Sequence, residues 1–118
     1  MAGLNLLFLG ASYGSLLATK LLFGGHRIDL VCLPAEAETI NAEGLRVRLP
    51  IRGREKPVEL DSRLLPGKVA AGAADAFDPA GYDLVGLAMQ EPQYRAPGVR
   101  ELLDRVARAR VPCMSIMN

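Results

Sequence analysis

Residues 9 to 15 read Leu-Gly-Ala-Ser-Tyr-Gly-Ser, a small-residue stretch between an apolar run and a helical pattern. The chemistry open to such a junction is anion binding. The first backbone N–H groups of a helix have no partner within it, and the helix dipole favours negative charge there. Ser12 and Ser15 would add hydroxyl donors. A dinucleotide-binding turn, G-x-G-x-x-G, uses its glycines for a sharp bend, for close approach of backbone to pyrophosphate, and for helix–strand contact. Counted from Gly10, Ser12 takes the middle glycine's place and Gly14 arrives one residue early. Counted back from Gly14, Leu9 and Ala11 occupy the first two places. Two readings stay open: a phosphate cradle with altered spacing, or a strand–helix turn that needs small residues for packing and binds nothing.

A second strand ending in an acidic residue would accept hydrogen bonds from ribose hydroxyls, and a basic one would favour a 2′-phosphate. Here the strand runs into Asp-Leu-Val-Cys-Leu-Pro-Ala-Glu, residues 29 to 36. Leu33 occupies the tip. Asp29 lies early and suits a local role, in a turn or with Arg27. Glu36 reaches back toward the tip or serves the dipole of the next helix. The residues do not choose between the two cofactors.

The elements that must position these residues follow from periodicity. Leu4 to Leu9 is a nearly continuous apolar run, as in a strand buried on both faces. After Gly14, Leu17 with Leu21 and Ala18 with Leu22 repeat at helical spacing until Gly24-Gly25. Ile28 to Leu33 predicts a second strand. Pro34 opens a helix that carries Ala37 and Ile40 inward and ends near Gly44. Leu45, Val47 and Leu49 alternate with Arg46 and Arg48, and Val58 to Leu60 returns antiparallel after a turn around Gly53. Lys68 to Ala71 is a short strand, 75 to 82 a loop with one helical turn, and Asp83 to Met89 a strong strand. Pro97-Gly98 opens a helix with Val99, Leu102, Leu103 and Val106 as its buried stripe. Glu101–Arg105 and Asp104–Arg108 are expected as ion pairs on its wet side. Val111 to Met117 predicts a last strand.

This order predicts an α/β domain, a doubly wound, mostly parallel sheet with a small antiparallel insertion. A doubly wound sheet normally covers its last strand with a helix, so the expectation is the N-terminal domain, residues 1–118, of a longer protein. With a formal net charge of +1 in 118 residues, nothing argues for nucleic acid or an anionic membrane as partner. Cys32 and Cys113 lack metal-ligand spacing and sit in apolar runs, which predicts buried free thiols in a reducing cytoplasm and no metal.

Several segments together resemble one family. Residues 4 to 47, from Leu-Asn-Leu-Leu-Phe-Leu-Gly to Gly-Leu-Arg-Val, are similar to the start of ketopantoate reductases (2-dehydropantoate 2-reductases). "YDLVGLAMQEPQY" resembles the family's later strand and loop, and "PCMSIMN" its strand ending in Gln-Asn-Gly. The resemblance implies a Rossmann-like fold and NADPH-dependent reduction of a 2-oxo acid, ketopantoate, in pantothenate biosynthesis. NAD is an alternative cofactor. The cleft would lie against a helical C-terminal domain of the same protein, which supplies the catalytic lysine. No catalytic residue is expected in this chain, and a homodimer is compatible.

By the same resemblance the cofactor-binding positions are Gly10, Ser12, Tyr13, Gly14 and Ser15 in the phosphate turn, with Asn118 at the cleft. Leu33 stands where the family has an arginine facing the 2′-phosphate, and Gln90 where it has a lysine near the cofactor. Arg27, Arg46, Arg48 or Arg95 would have to substitute. The alternative is a binding or scaffold module that kept the fold and lost tight dinucleotide binding.

Among single residues, His26 is expected to make a local hydrogen bond in a loop. Tyr13 reads as a wall beside the nucleotide or as a packed turn residue. Glu91 and Tyr94 follow a strand end that faces the expected crevice. Arg46, Arg48, Arg52, Arg54 and Lys56 suit a solvated hairpin face.

Overall fold

Alternation along the first strand decides the layering. In the computed structural model, which describes residues 3–49, 52–53 and 55–116 (for 11–13, 15, 49 and 91 the backbone alone), β1 spans Asn5–Leu9. Leu6 and Phe8 point into one core with Ala18, Leu22, Ile28, Leu30, Ala37 and Ile40. Leu7 and Leu9 point into a second with Val31, Val85, Leu102 and Val106. Successive side chains of a strand face opposite ways, so a run apolar at every position needs a layer on each side. Each fully buried Leu, Ile, Val or Phe among them contributes about 1.5–3 kcal/mol of transfer free energy.

The layers are helical. Helix α1 is Ala11–Phe23 and α2 is Pro34–Glu43; both feed the first core. Helix α3, Pro97–Ala109, lies on the second, burying Leu102 and Val106. Pro34 and Pro97 take the first helical position, where a missing N–H costs nothing. Gly44 ends α2 at φ 81°, its N–H on the Ile40 carbonyl at 2.8 Å. Helix α1 starts at Ala11, earlier than the periodicity after Gly14 predicts, because the first turn over the strand needs small residues and not an apolar stripe.

The remaining strands are β2 Arg27–Val31, β3 Arg46–Leu49, β4 Val58–Asp61, β5 Lys68–Gly72, β6 Leu84–Leu87 and β7 Cys113–Ser115. Five form one sheet in the order β5-β2-β1-β6-β7, every neighbouring pair parallel. The chain moves outward from β1 through β2 to β5, then crosses back to lay β6 and β7 on the other side. That is a doubly wound, Rossmann-like α/β fold with its switch point between β1 and β6. Strands β3 and β4 pair antiparallel as a separate two-stranded sheet.

Between β5 and β6 the crossover has two 3₁₀ turns, Ala74–Ala76 and Pro79–Gly81, where the sequence predicts a loop with one helical turn. Arg105 holds this segment: its guanidinium donates to the Phe77 carbonyl at 3.0 Å and the Ala74 carbonyl at 3.1 Å. The expected Glu101–Arg105 pair is therefore replaced by an inward bond, since two part-buried carbonyls offer more than a solvated carboxylate. Arg108 donates to the Asp104 backbone carbonyl at 3.4 Å, not to its carboxylate.

Asp29 is buried in the middle of β2 and accepts from the Tyr82 hydroxyl at 2.6 Å and from Arg27 at 3.4 Å. The expected contact with Arg27 forms within the strand and not in a turn, but the shorter bond comes from Tyr82, 53 residues away in the chain. Burial first, then the bond to Asp29, holds the Tyr82 phenol well above its ordinary pKa. The thiols are free, as expected, but Cys32 is half-buried and Cys113 exposed. All three residues of β7 are exposed, because this edge strand is paired on one side by β6 and meets little of either core.

Candidate functional site

The strands deliver their C-terminal ends to one rim, and short backbone bonds tie the floor beneath it. Gly10 N–H donates to the Val31 carbonyl at 2.8 Å, Cys32 N–H to Gly72 at 3.0 Å, and Ala88 N–H to Leu9 at 2.9 Å. These continue the ladder past the ends of β1, β2 and β6, so the floor is as fixed as the sheet.

Gly10 is the only residue between β1 and α1. It has φ 104°, where an L side chain is strained, and a Cβ there would come 2.7 Å from the Ala88 carbonyl oxygen. The turn thus presses onto the end of β6 at the switch point. Gly14 sits one turn into α1, where a Cβ would meet Phe8 Cδ2 at 3.3 Å and the Ala88 Cβ at 3.4 Å. Gly10 makes the bend and Gly14 the close helix–strand approach, four residues apart in place of the usual five. The chain dispenses with the middle glycine by entering the helix at once, with no side-chain cap at its N-terminus.

Above this floor lies a cleft of about 440 Å³, a size typical of small-molecule sites. Gly10, Val31, Cys32 and Ala88 lie at its base. Leu33, Pro34 and Glu36 form the wall from the β2–α2 turn, with Ala73 and Ala74 beside them from the end of β5. The opposite wall, after β6, contributes Met89, Gln90, Gln93, Ala96 and Val99. This is the crevice outside the carboxyl ends of parallel strands, where open α/β sheets bind ligands.

The sequence-derived positions divide clearly. Gly10, Leu33 and Gln90 line the cleft. Ser12, Tyr13, Gly14 and Ser15 form the first turns of α1, Gly14 beneath it as packing. Asn118 lies outside the described residues. Tyr94 is in the 3₁₀ turn Glu91–Arg95, where its hydroxyl accepts from Met89 N–H at 3.0 Å and braces the wall. Gln93 braces it too, its side-chain carbonyl accepting from Gln90 N–H at 2.8 Å. His26 makes the local bond expected of it, Nδ1 accepting from Leu4 N–H at 3.0 Å.

Cys32, Ala73, Ala74, Gln93, Ala96 and Val99 are cleft residues that motif reading passes over. For Cys32, Ala73 and Ala74 the signal is positional, since they directly follow β2 and β5; Gln93, Ala96 and Val99 carry none. Burial, with the charge of Glu36 added, pushes the Cys32 thiol above its ordinary pKa. It stays protonated and poorly nucleophilic near neutral pH.

Electrostatics set the cleft apart. Glu36 is its one charged lining residue, and no lysine or arginine lines it among the described residues. The arginines that would have to substitute are engaged elsewhere. Arg27 sits at the opposite end of β2 on Asp29, Arg46 faces Asp61 at 3.7 Å, and Arg48 faces Glu59 at 3.9 Å. Arg95 is absent from the cleft lining. An anion here would rest on backbone N–H groups at the start of α1. No group of His, Cys, Asp and Glu suited to a metal ion occurs among the described residues. No helix there is long and apolar enough to cross a membrane. No protein-family model and no curated protein matches the chain.

Proposed function

We propose that the chain is the dinucleotide-binding domain of an NAD(P)H-dependent oxidoreductase, ketopantoate-reductase-like, acting on a small 2-oxo acid. One observation carries this reading: the cleft opens at the switch point of a doubly wound sheet, directly against Gly10 and the N-terminus of α1. The fit to a dinucleotide is steric and dipolar. Gly10 and Gly14 let the start of α1 press closely on the ends of β1 and β6 beneath the cleft, and the uncapped helix start offers N–H donors to a pyrophosphate.

The bound nicotinamide would supply a hydride for a carbonyl carbon. This chain's own contribution is to hold and orient. The start of α1 carries the phosphates, and Leu33 with the β2–α2 turn flanks the adenosine side. Met89, Gln90 and the braced 3₁₀ turn flank the reacting side. A proton donor and the substrate's carboxylate partner would come from a helical C-terminal domain of the same protein. A scaffold that has lost tight binding is the second reading, and a cleft with no cation among its described lining residues favours it.

Calorimetric titration with NADH and with NADPH separates the two. Micromolar binding of either supports the dinucleotide-domain reading. No heat with either, by this chain and by a longer form that includes a downstream domain, leaves the scaffold.

A further inference from the structure

The charge in the cleft lies at one end. Glu36 is the third residue of α2, half-buried, and close enough to Cys32 to raise its thiol pKa. Among the described residues no hydrogen bond or ion pair joins its carboxylate to a partner, and its position in the first turn of α2 suits the helix dipole. Leu33, three residues earlier at the end of β2, is 64% exposed and presents only hydrocarbon. On a doubly wound sheet this corner, past the second strand, is where the ribose of the adenosine half lies.

A carboxylate there accepts from the 2′- and 3′-hydroxyls, both donors. A 2′-phosphate removes one donor, brings a dianion beside Glu36, and finds no cation among the described lining residues. We infer that the cleft selects a dinucleotide with a free 2′-hydroxyl, of the NAD type, over its 2′-phosphorylated counterpart, with Glu36 as the discriminating residue. The inference rests on the dinucleotide reading above. It departs from the NADPH preference that the family resemblance implies.

The preference should be about tenfold to a hundredfold, the worth of one charge-assisted hydrogen bond together with the removal of a repulsion. The test is calorimetry on the unaltered chain with NADH, NADPH, ADP-ribose and 2′-phospho-ADP-ribose, then on Glu36→Gln. The expected result is tighter binding of both unphosphorylated ligands. In Glu36→Gln, NADH binding should weaken about tenfold while NADPH binding holds or improves, collapsing the ratio. Equal or tighter binding of the phosphorylated ligands overturns the inference and leaves the dinucleotide reading standing, as does a ratio that Glu36→Gln leaves intact. If none of the four binds to this chain or to a longer form that includes a downstream domain, the dinucleotide reading falls and takes the inference with it. The ADP-ribose pair needs no variant, so a folding defect in Glu36→Gln cannot hide the answer.

Discussion

The β3–β4 hairpin and the cleft handle charge in opposite ways. In the hairpin's two strands each arginine stands across from an anion: Arg46 pairs in register with Asp61, and Arg48 with Glu59. Arg63 adds a two-pronged contact to Asp61, at 2.7 and 3.1 Å. Between them Val47 faces Leu60 and packs toward the first core. The cleft has backbone, apolar and amide side chains and, among the described residues, one carboxylate. Opposite charges placed across a strand pair neutralise one another and help set register. A site left with helix N–H groups and no cation can take only an anion that those groups satisfy. Arginine count therefore says little about ligand charge, because Arg46 and Arg48 pair within the hairpin, Arg27 lies on Asp29 and Arg105 holds the crossover.

The sharpest way to break the contrast is at Gly10. Gly10→Ala puts a Cβ against the Ala88 carbonyl at a positive φ. It should cost about 2–4 kcal/mol of stability, read by thermal or urea unfolding, and should abolish ligand binding. A neutral substitution would mean that the turn does not press on β6.

Moving a cation into the cleft sharpens it. Leu33→Arg should raise NADPH affinity about tenfold or more by calorimetry, with little change for NADH. An equal gain for both ligands would place the new guanidinium on the pyrophosphate and not on the ribose corner.

Tyr82→Phe asks whether the sheet's own buried charge is independent of both regions. It strips a donor from Asp29 and should cost about 1–3 kcal/mol without altering ligand selectivity. The Tyr82 phenol and the Cys32 thiol hold protons more tightly folded than unfolded. The folded state then binds more protons, so stability should fall as pH rises through about 8.5 and about 10, the ordinary cysteine and tyrosine values. Tyr82→Phe should flatten the upper part of that decline in melts taken across the alkaline range.

The smallest effects belong to the hairpin. Hydrogen bonds from Arg63, side chain first, hold the Asp61 carboxyl down at about 2. Its contribution is complete above the ordinary carboxylate value of about 4 and is lost as pH falls toward 2. Asp61→Asn should remove that acid-side slope. Arg48→Gln, at an exposed pair, should change stability by less than about 0.5 kcal/mol. A larger loss would mean that the hairpin's charges support the main sheet.

Much of the fold was legible because it is written in short-range patterns. The apolar run before Gly10, Pro34 with Ala37 and Ile40 before Gly44, and the Arg-Val-Arg-Leu alternation each declare an element within a few residues. Two features escaped. Cys113 sits in a run as apolar as a core strand, yet β7 is exposed, because burial depends on what covers an edge. Arg105 has a carboxylate one helical turn away and chooses carbonyls 28 and 31 residues distant in the chain. Of the site, Gly10, Leu33 and Gln90 were readable from motif position. Gln93, Ala96 and Val99 were not, since their segment reads only as a loop running into a helix.

By itself the sequence determined the kind and order of the elements, the bend at Gly10, and the absence of a basic residue at the tip of β2, since those depend on local periodicity, backbone sterics and residue identity. Only the tertiary structure decided that Gly14 serves packing, that the hairpin stands as its own sheet holding Arg46 and Arg48 away from the cleft, and that Glu36 is the cleft's one lining charge among the described residues. The reason is distance. Which strand ends converge, and which charges find partners, is set by contacts between residues far apart in the chain, and no local pattern encodes them.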